Sequence, residues 1–244
     1  MLTKAQIKRI TSLKQKKFRQ QYRCFVAEGK KTIEELLDSK YMLQSFYGPK
    51  NYFGLEEDRF NEVKVAEIKR ISFLKNNAFG VAIFSIPKTK QPSSNGLIIA
   101  LDAIQDPGNL GTIIRLCDWF GVSELICGIN SVDCYNPKVV QATMGSLARV
   151  NVSYLNLIEY IKSYKGTVFG TFMYGDNIYN STLPNDALII FGNEANGISE
   201  NLASQISNTL CIPRFGSLKM TESLNVANAT AIVLGEVRRN SIEK

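Results

Sequence analysis

Residues 97–121 read LIIALDAIQDPGNLGTIIRLCDWFG, and the reading of this stretch decides the fold. Its first five residues are apolar without interruption, Asp102 ends the run, and Pro107, Gly108 and Asn109 supply a turn. Behind the turn, Ile113, Leu116, Cys117 and Phe120 recur at the i, i+3, i+4, i+7 spacing of a helix that buries one face. A strand that is apolar on both faces and is followed by such a helix belongs to a parallel sheet covered on both sides. The same rhythm continues downstream. ELICGI leads into PKVVQATMGSLARV, and TVFGTFM, ALIIFGNE, TLCIP and a last helix follow. The expectation is an α/β domain whose ligands gather at the carboxyl ends of its strands.

Upstream, the texture differs. CFVAEG, LQSFYG and FGVAIFSIP are short β-forming runs bounded by Gly or Pro, while KKTIEELL and EVKVAEIKRI have helical spacing, so a smaller α/β unit comes first. PKTKQPSSNG, residues 87–96, is polar, carries two prolines and shows no periodicity. This places an N-terminal domain at 1–88, a linker at 89–96 and the second domain at 97–244.

At 244 residues, 45% hydrophobic and 21% charged, the chain can bury a sizeable core. No apolar run approaches the length of a bilayer span, and MLTKAQIKRI lacks the apolar segment of a secretory signal, so a cytoplasmic protein is expected. The five cysteines are scattered without a CxxC pair, which favours reduced thiols. Histidine is absent, which removes the commonest general base, the usual triads and most catalytic zinc centres. No metal is expected. The net charge of +7 is concentrated at the front, where Lys8, Arg9, Lys14, Lys16, Lys17, Arg19 and Arg23 precede the first acid, Glu28. Such an end neutralises phosphates, and nucleic acid is the expected partner.

Two further polar clusters follow apolar strands. ALIIFGNEANGIS, residues 187–199, delivers Gly192, Asn193 and Glu194 to a strand end and turns at Asn196 and Gly197. TESLNVANAT, residues 221–230, opens the last helix. Ser223 can cap it, but Asn225 and Asn228 are poor interior helix residues and need another reason. A turn and a helix cap would explain each cluster alone; three clusters at strand ends suggest a site. DPGNLG has neither the Walker lysine nor GxGxxG spacing, which argues against a nucleotide-dependent oxidoreductase.

DPGNLGTIIR, then FGNEANGIS, then IPRFG and ESLNVANATAIVLGE resemble, in order, the motifs of the SpoU (TrmH-type) RNA ribose 2′-O-methyltransferases of the SPOUT superfamily. The resemblance covers Leu97 to Arg239, and FVAEGKKTIEELL is similar to the ribosomal-protein-like RNA-binding domain that precedes the catalytic domain in many members. It implies a parallel sheet with a C-terminal trefoil knot, S-adenosylmethionine as cofactor and a homodimer formed through the catalytic domain. It assigns Asn109, Arg115, Glu194, Ser223 and Asn225 to catalysis, with Glu194 orienting Arg115, and Thr171, Gly192, Asn193, Gly197, Ile212 and Leu224 to the cofactor. Gln141 stands where members often carry arginine, which bears on substrate identity. Ribosomal RNA is favoured over transfer RNA. The alternative is a non-catalytic RNA-binding or ribosome-assembly protein with the same fold.

Overall fold

The computed structural model describes residues 1–218 and 223–242. Two compact units result, one of residues 1–89 with 133–149, the other of 90–132 with 150–244. The segment 133–149, which the sequence reading places in the second domain, therefore clusters with the first unit.

The first unit runs α1 (Lys4–Ser12), α2 (Lys16–Tyr22), β1 (Cys24–Glu28), α3 (Lys30–Leu37), β2 (Leu43–Gly48), β3 (Phe60–Glu62), α4 (Val65–Ile71) and β4 (Val81–Ser85). Its sheet has the order β1-β4-β2-β3, with β4 antiparallel to both neighbours and β2 parallel to β3. Thr3 and Gln6 close a reciprocal capping box on α1, which explains where that helix starts. Ile10, Leu13, Val26, Ile68, Ile71 and Val81 form the core. Glu28 is buried at the end of β1, where its carboxylate accepts from Phe73 N at 2.9 Å and Ser72 Oγ at 3.3 Å. Burial pushes its pKa above the usual carboxylate value, although both hydrogen bonds favour the charged form.

The second unit is built on β5 (Ile98–Leu101), α5 (Pro107–Trp119), β6 (Glu124–Gly128), β7 (Asn151–Leu155), α7 (Leu157–Ser163), β8 (Thr167–Phe172), β9 (Asp176–Asn177), β10 (Ala187–Phe191), α8 (Glu200–Ala203), β11 (Asn208–Cys211) and α9 (Val226–Ile242). Between β6 and β7 the chain makes α6 (Pro137–Thr143), which packs on β1 of the first unit. All seven strands are parallel, in the order β7-β6-β5-β10-β8-β11-β9. Strands β5, β6 and β10 are buried throughout, β5 and β10 as unbroken apolar runs and β6 with Glu124 at its start. Ile98, Ala100, Leu188 and Ile190 face α7 and α8 through Leu157, Ile161 and Leu202, while α5 packs on α9.

The buried face of α5 consists of Leu110, Ile113, Ile114 and Cys117; Leu116 and Phe120, expected in that stripe, are half-buried. The sequence stripe was placed one position too far around the helix. Trp119, at the end of α5, is 84% exposed. Strand β7 was not anticipated, because NVSYL alternates polar and apolar residues as a sheet-edge strand does.

Candidate active site at the strand switch point

The strand order reverses direction between β5 and β10. From β5 the chain moves outward to β6 on one side, while β10 has β8 on the other. Helices leaving two such strands diverge, and a crevice opens at their carboxyl ends. The register pairs Leu101 with Phe191, so Asp102 and Gly192 emerge side by side, tied by Asp102 N donating to Phe191 O at 2.8 Å.

The loop after β10 is tightly folded. Asn193 and Gly197 exchange backbone hydrogen bonds at 2.9 and 2.8 Å. A Cβ on Gly192 would lie 2.1 Å from the Gly197 carbonyl carbon, so this glycine admits the chain's own returning backbone. Gly197 closes the turn at φ +68°. Asn193 holds the loop from inside: its Oδ1 accepts from Ala195 N at 2.9 Å and its Nδ2 donates to Ala103 O at 2.8 Å. Ala103 reaches that geometry at φ 55°, a left-handed conformation that costs a non-glycine residue about 1 kcal/mol or more. Across the crevice, Asp102 Oδ2 accepts from Ser199 N at 2.8 Å.

On this frame the motifs meet. Asp106 caps α5 by accepting from Asn109 N at 2.8 Å, with Pro107 in the first turn. Asn109 Nδ2 donates to Glu194 Oε1 at 2.5 Å, and Asn225 Nδ2 donates to Asn109 Oδ1 at 2.8 Å. Asn225 Oδ1 in turn accepts from Ala227 N at 2.9 Å and Asn228 N at 3.3 Å. The orientation of both amides follows from this chain. Because the oxygen of Asn225 is engaged by the start of α9, its nitrogen must face Asn109, whose own nitrogen is thereby directed at the carboxylate. Asn225 thus caps α9 and joins the network at once.

Thr171 Oγ1 donates to Ile190 O at 3.0 Å, which ties β8 to β10 near their carboxyl ends. Ile212 follows β11 and is half-buried, and Leu224 is 47% exposed. Ser223 is exposed and makes no hydrogen bond among the described residues. Arg115 is also exposed and has no hydrogen bond or ion pair among the described residues, so Glu194 does not orient it here; Asn109 takes that carboxylate. Asp102 and Ala103 escaped the sequence reading as site residues. The first looked like a strand terminator, and alanine carries no signature of a left-handed turn.

Of the expected RNA-contacting cations, Lys8, Arg9, Lys14, Lys16 and Lys17 are exposed. Arg19 is a correction. Only 2% exposed, it donates through Nε and Nη2 to Asp133 Oδ2 at 2.9 and 2.6 Å, and through Nη1 to the carbonyls of Leu13 and Lys14. Arg23 is exposed, but its guanidinium donates to Pro87 O at 3.1 Å.

The profile described as the SpoU rRNA Methylase family matches residues 96–235, which contain all three motifs of the network. The chain belongs to that family. Residues 4–77 match an MRM3-like substrate binding domain. The chain is 29% identical over 240 residues to a 23S rRNA (guanosine(2553)-2′-O)-methyltransferase of Bacillus subtilis, covering 91% of this chain and 92% of that one. A TrmH-family structure from Porphyromonas gingivalis superposes at a TM-score of 0.90 with 37% identity, over 98% of this chain and 99% of that one. An AdoMet-bound rRNA methyltransferase from Sinorhizobium meliloti superposes at 0.85 with 30% identity, over 98% and 96%. With its family, the chain stands among the S-adenosylmethionine-dependent RNA ribose methyltransferases that its motifs resemble.

Proposed function

We propose that this protein transfers a methyl group from S-adenosylmethionine to the ribose 2′-hydroxyl of a nucleotide in ribosomal RNA, with transfer RNA as the second substrate class. The observation that carries this reading is the continuous hydrogen-bonded chain Glu194–Asn109–Asn225, which joins three motifs distant in sequence at the strand switch point. We assign an adenosine-type cofactor to the ends of β8, β10 and β11. Backbone around Thr171, Gly192, Asn193, Gly197, Ile212 and Leu224 would hold it, and Met173, Tyr174, Phe215 and Leu218 nearby in the chain leave apolar surface 47%, 72%, 83% and 82% exposed. When bound, S-adenosylmethionine supplies a methyl group already activated on a sulfonium.

What remains for the protein is to align the hydroxyl and take up its proton. Glu194 Oε2 has no hydrogen bond among the described residues, while Oε1 is fixed by Asn109. A ribose hydroxyl can donate to Oε2, and the second amide hydrogen of Asn109 can donate to the ribose from the same side. Arg115 cannot act as a base at neutral pH, because a guanidinium stays protonated. We assign it to holding the RNA phosphate and stabilising the negative charge that develops on oxygen. Ser223 lies on the approach to α9 and is assigned to the ribose. In this reading the second unit carries the trefoil knot of its family, and the protein works as a cytoplasmic homodimer joined through that unit. No helix among the described residues is long and apolar enough to cross a membrane.

The test is incubation with methyl-labelled S-adenosylmethionine and separated ribosomal and transfer RNA pools, with Arg115→Ala as control. Label recovered as a 2′-O-methylnucleoside from ribosomal RNA, and lost in the variant, is the expected result. Label only in transfer RNA selects the second substrate class. Failure to bind the cofactor would overturn the enzymatic reading and leave an RNA-binding protein.

A further inference from the structure

The first acidic residue of the chain is Glu28, so α1 and α2 carry cations with no carboxylate of their own. Two aromatic rings stand among them. Phe18 and Tyr22 are one turn apart on α2, with ring centroids 6.1 Å apart and planes within 12° of parallel. The Arg9 guanidinium lies 5.5 Å from the Tyr22 centroid, and Lys17 Nζ lies 4.8 Å from the Phe18 centroid. Tyr22 is 36% exposed and Phe18 half-buried, while the residue that α2 buries is Arg19. A short helix that turns an arginine inward and leaves two rings at its surface inverts the usual partition of residues.

We propose that Phe18 and Tyr22, flanked by Arg9 and Lys17, form a stacking platform for an unpaired base of the RNA substrate. The proposal rests on the RNA-substrate reading above and adds to it the form of RNA that this surface selects. Cations alone attract any phosphate backbone, paired or not. Ring faces discriminate, because the faces of bases inside a duplex are covered by their neighbours, whereas unpaired bases offer theirs. The parallel pair presents its rings as successive steps along the helix, at positions where cations already lie within reach of the flanking phosphates. A cation–ring contact at the surface holds weakly, so a base can displace Lys17 and leave it free to follow the backbone. Arg19 and Arg23 do not extend this surface, since one is buried against Asp133 and the other is engaged by main-chain carbonyls.

The experiment uses the full-length protein and a single-stranded RNA of about ten nucleotides, within the range bound by known single-strand modules, carrying 2-aminopurine near its centre. The same sequence in duplex form is the comparison, and affinity is measured across a salt series. Expected for the wild type is tighter binding of the single strand, with quenching of 2-aminopurine as it stacks. Tyr22→Leu should weaken single-strand binding roughly 5- to 100-fold and abolish the quench. It should leave duplex affinity and the salt dependence unchanged. Lys14→Gln should keep the quench and lower the slope of log affinity against log salt by about 0.7, the loss of one phosphate contact. Tyr22→Phe, which keeps the ring, should quench like wild type and so separates loss of stacking from loss of fold. If Tyr22→Leu and Phe18→Leu bind and quench as wild type does, the platform is refuted while the RNA reading stands. If the wild type binds neither form, the RNA reading fails and the platform falls with it.

Discussion

At the scale of single residues, Asn109 does what no neighbour could replace. Its two polar atoms face opposite ways, one donating to Glu194 and the other accepting from Asn225, so it links the strand-end loop to the start of α9. Aspartate would set a second carboxylate against Glu194, and alanine would leave both partners unheld. Asn109→Ala is therefore expected to lower the single-turnover methylation rate about 100-fold, the cost typical of a misplacement near 1 Å. Its effect on stability should be small, because Asn109 is only half-buried. Asn225→Ala should lose rate as well and, unlike Asn109→Ala, also about 1 kcal/mol of stability, since its oxygen caps α9. Urea unfolding run beside single-turnover kinetics separates the two. An Asn109→Ala protein with an undiminished rate would reduce the network to scaffolding. Both asparagines stood out in the sequence, Asn109 in the turn that opens α5 and Asn225 in the polar opening of the last helix. Ala103 was not, since its left-handed backbone is imposed by the tertiary frame and its side chain gives no sign of it.

At the scale of elements, legibility follows the range of the contacts that make them. Strands β5, β6 and β10 were readable because burial on both faces writes itself into consecutive apolar residues. The placing of residues 133–149 was not, because it depends on partners far away in the chain. Arg19 and Asp133 are separated by 114 positions. Within a run of cations, Arg19 looked like one more phosphate contact, and only folding shows that it is turned inward, with 2% of its side chain exposed against 13% for Asp133. Removing one partner of such a pair leaves a poorly solvated charge, and here it also removes the donors to the Leu13 and Lys14 carbonyls. Arg19→Met is thus expected to cost about 3–5 kcal/mol in urea unfolding, with much of that recovered when Asp133→Leu is added. The double variant should bind RNA with the wild-type salt dependence, because Arg19 contributes no phosphate contact. A single variant as stable as wild type would show that the pair does not hold this segment in place.

At the scale of the whole molecule, the sequence reading reached the family through the order of its motifs, and that order has a physical basis. The polar clusters follow β5, β10 and β11 because a parallel sheet gathers the carboxyl ends of its strands at one edge, wherever their intervening helices run. Assembly is a different matter, because a chain records a partner's surface only as apolar residues left uncovered. Trp119, the one tryptophan of the sequence, is such a residue, 84% exposed at the end of α5, the helix that packs on α9. Large exposed aromatics are enriched where subunits meet. If the proposed homodimer uses this face, light scattering should give twice the chain mass, and indole emission should be blue-shifted and shielded from iodide. Dilution to the monomer should then move emission to the red in step with the fall in mass. Trp119→Ala should shift that transition to higher protein concentration. Emission that stays red and open to iodide while scattering reports a dimer would place the interface on another surface of the second unit.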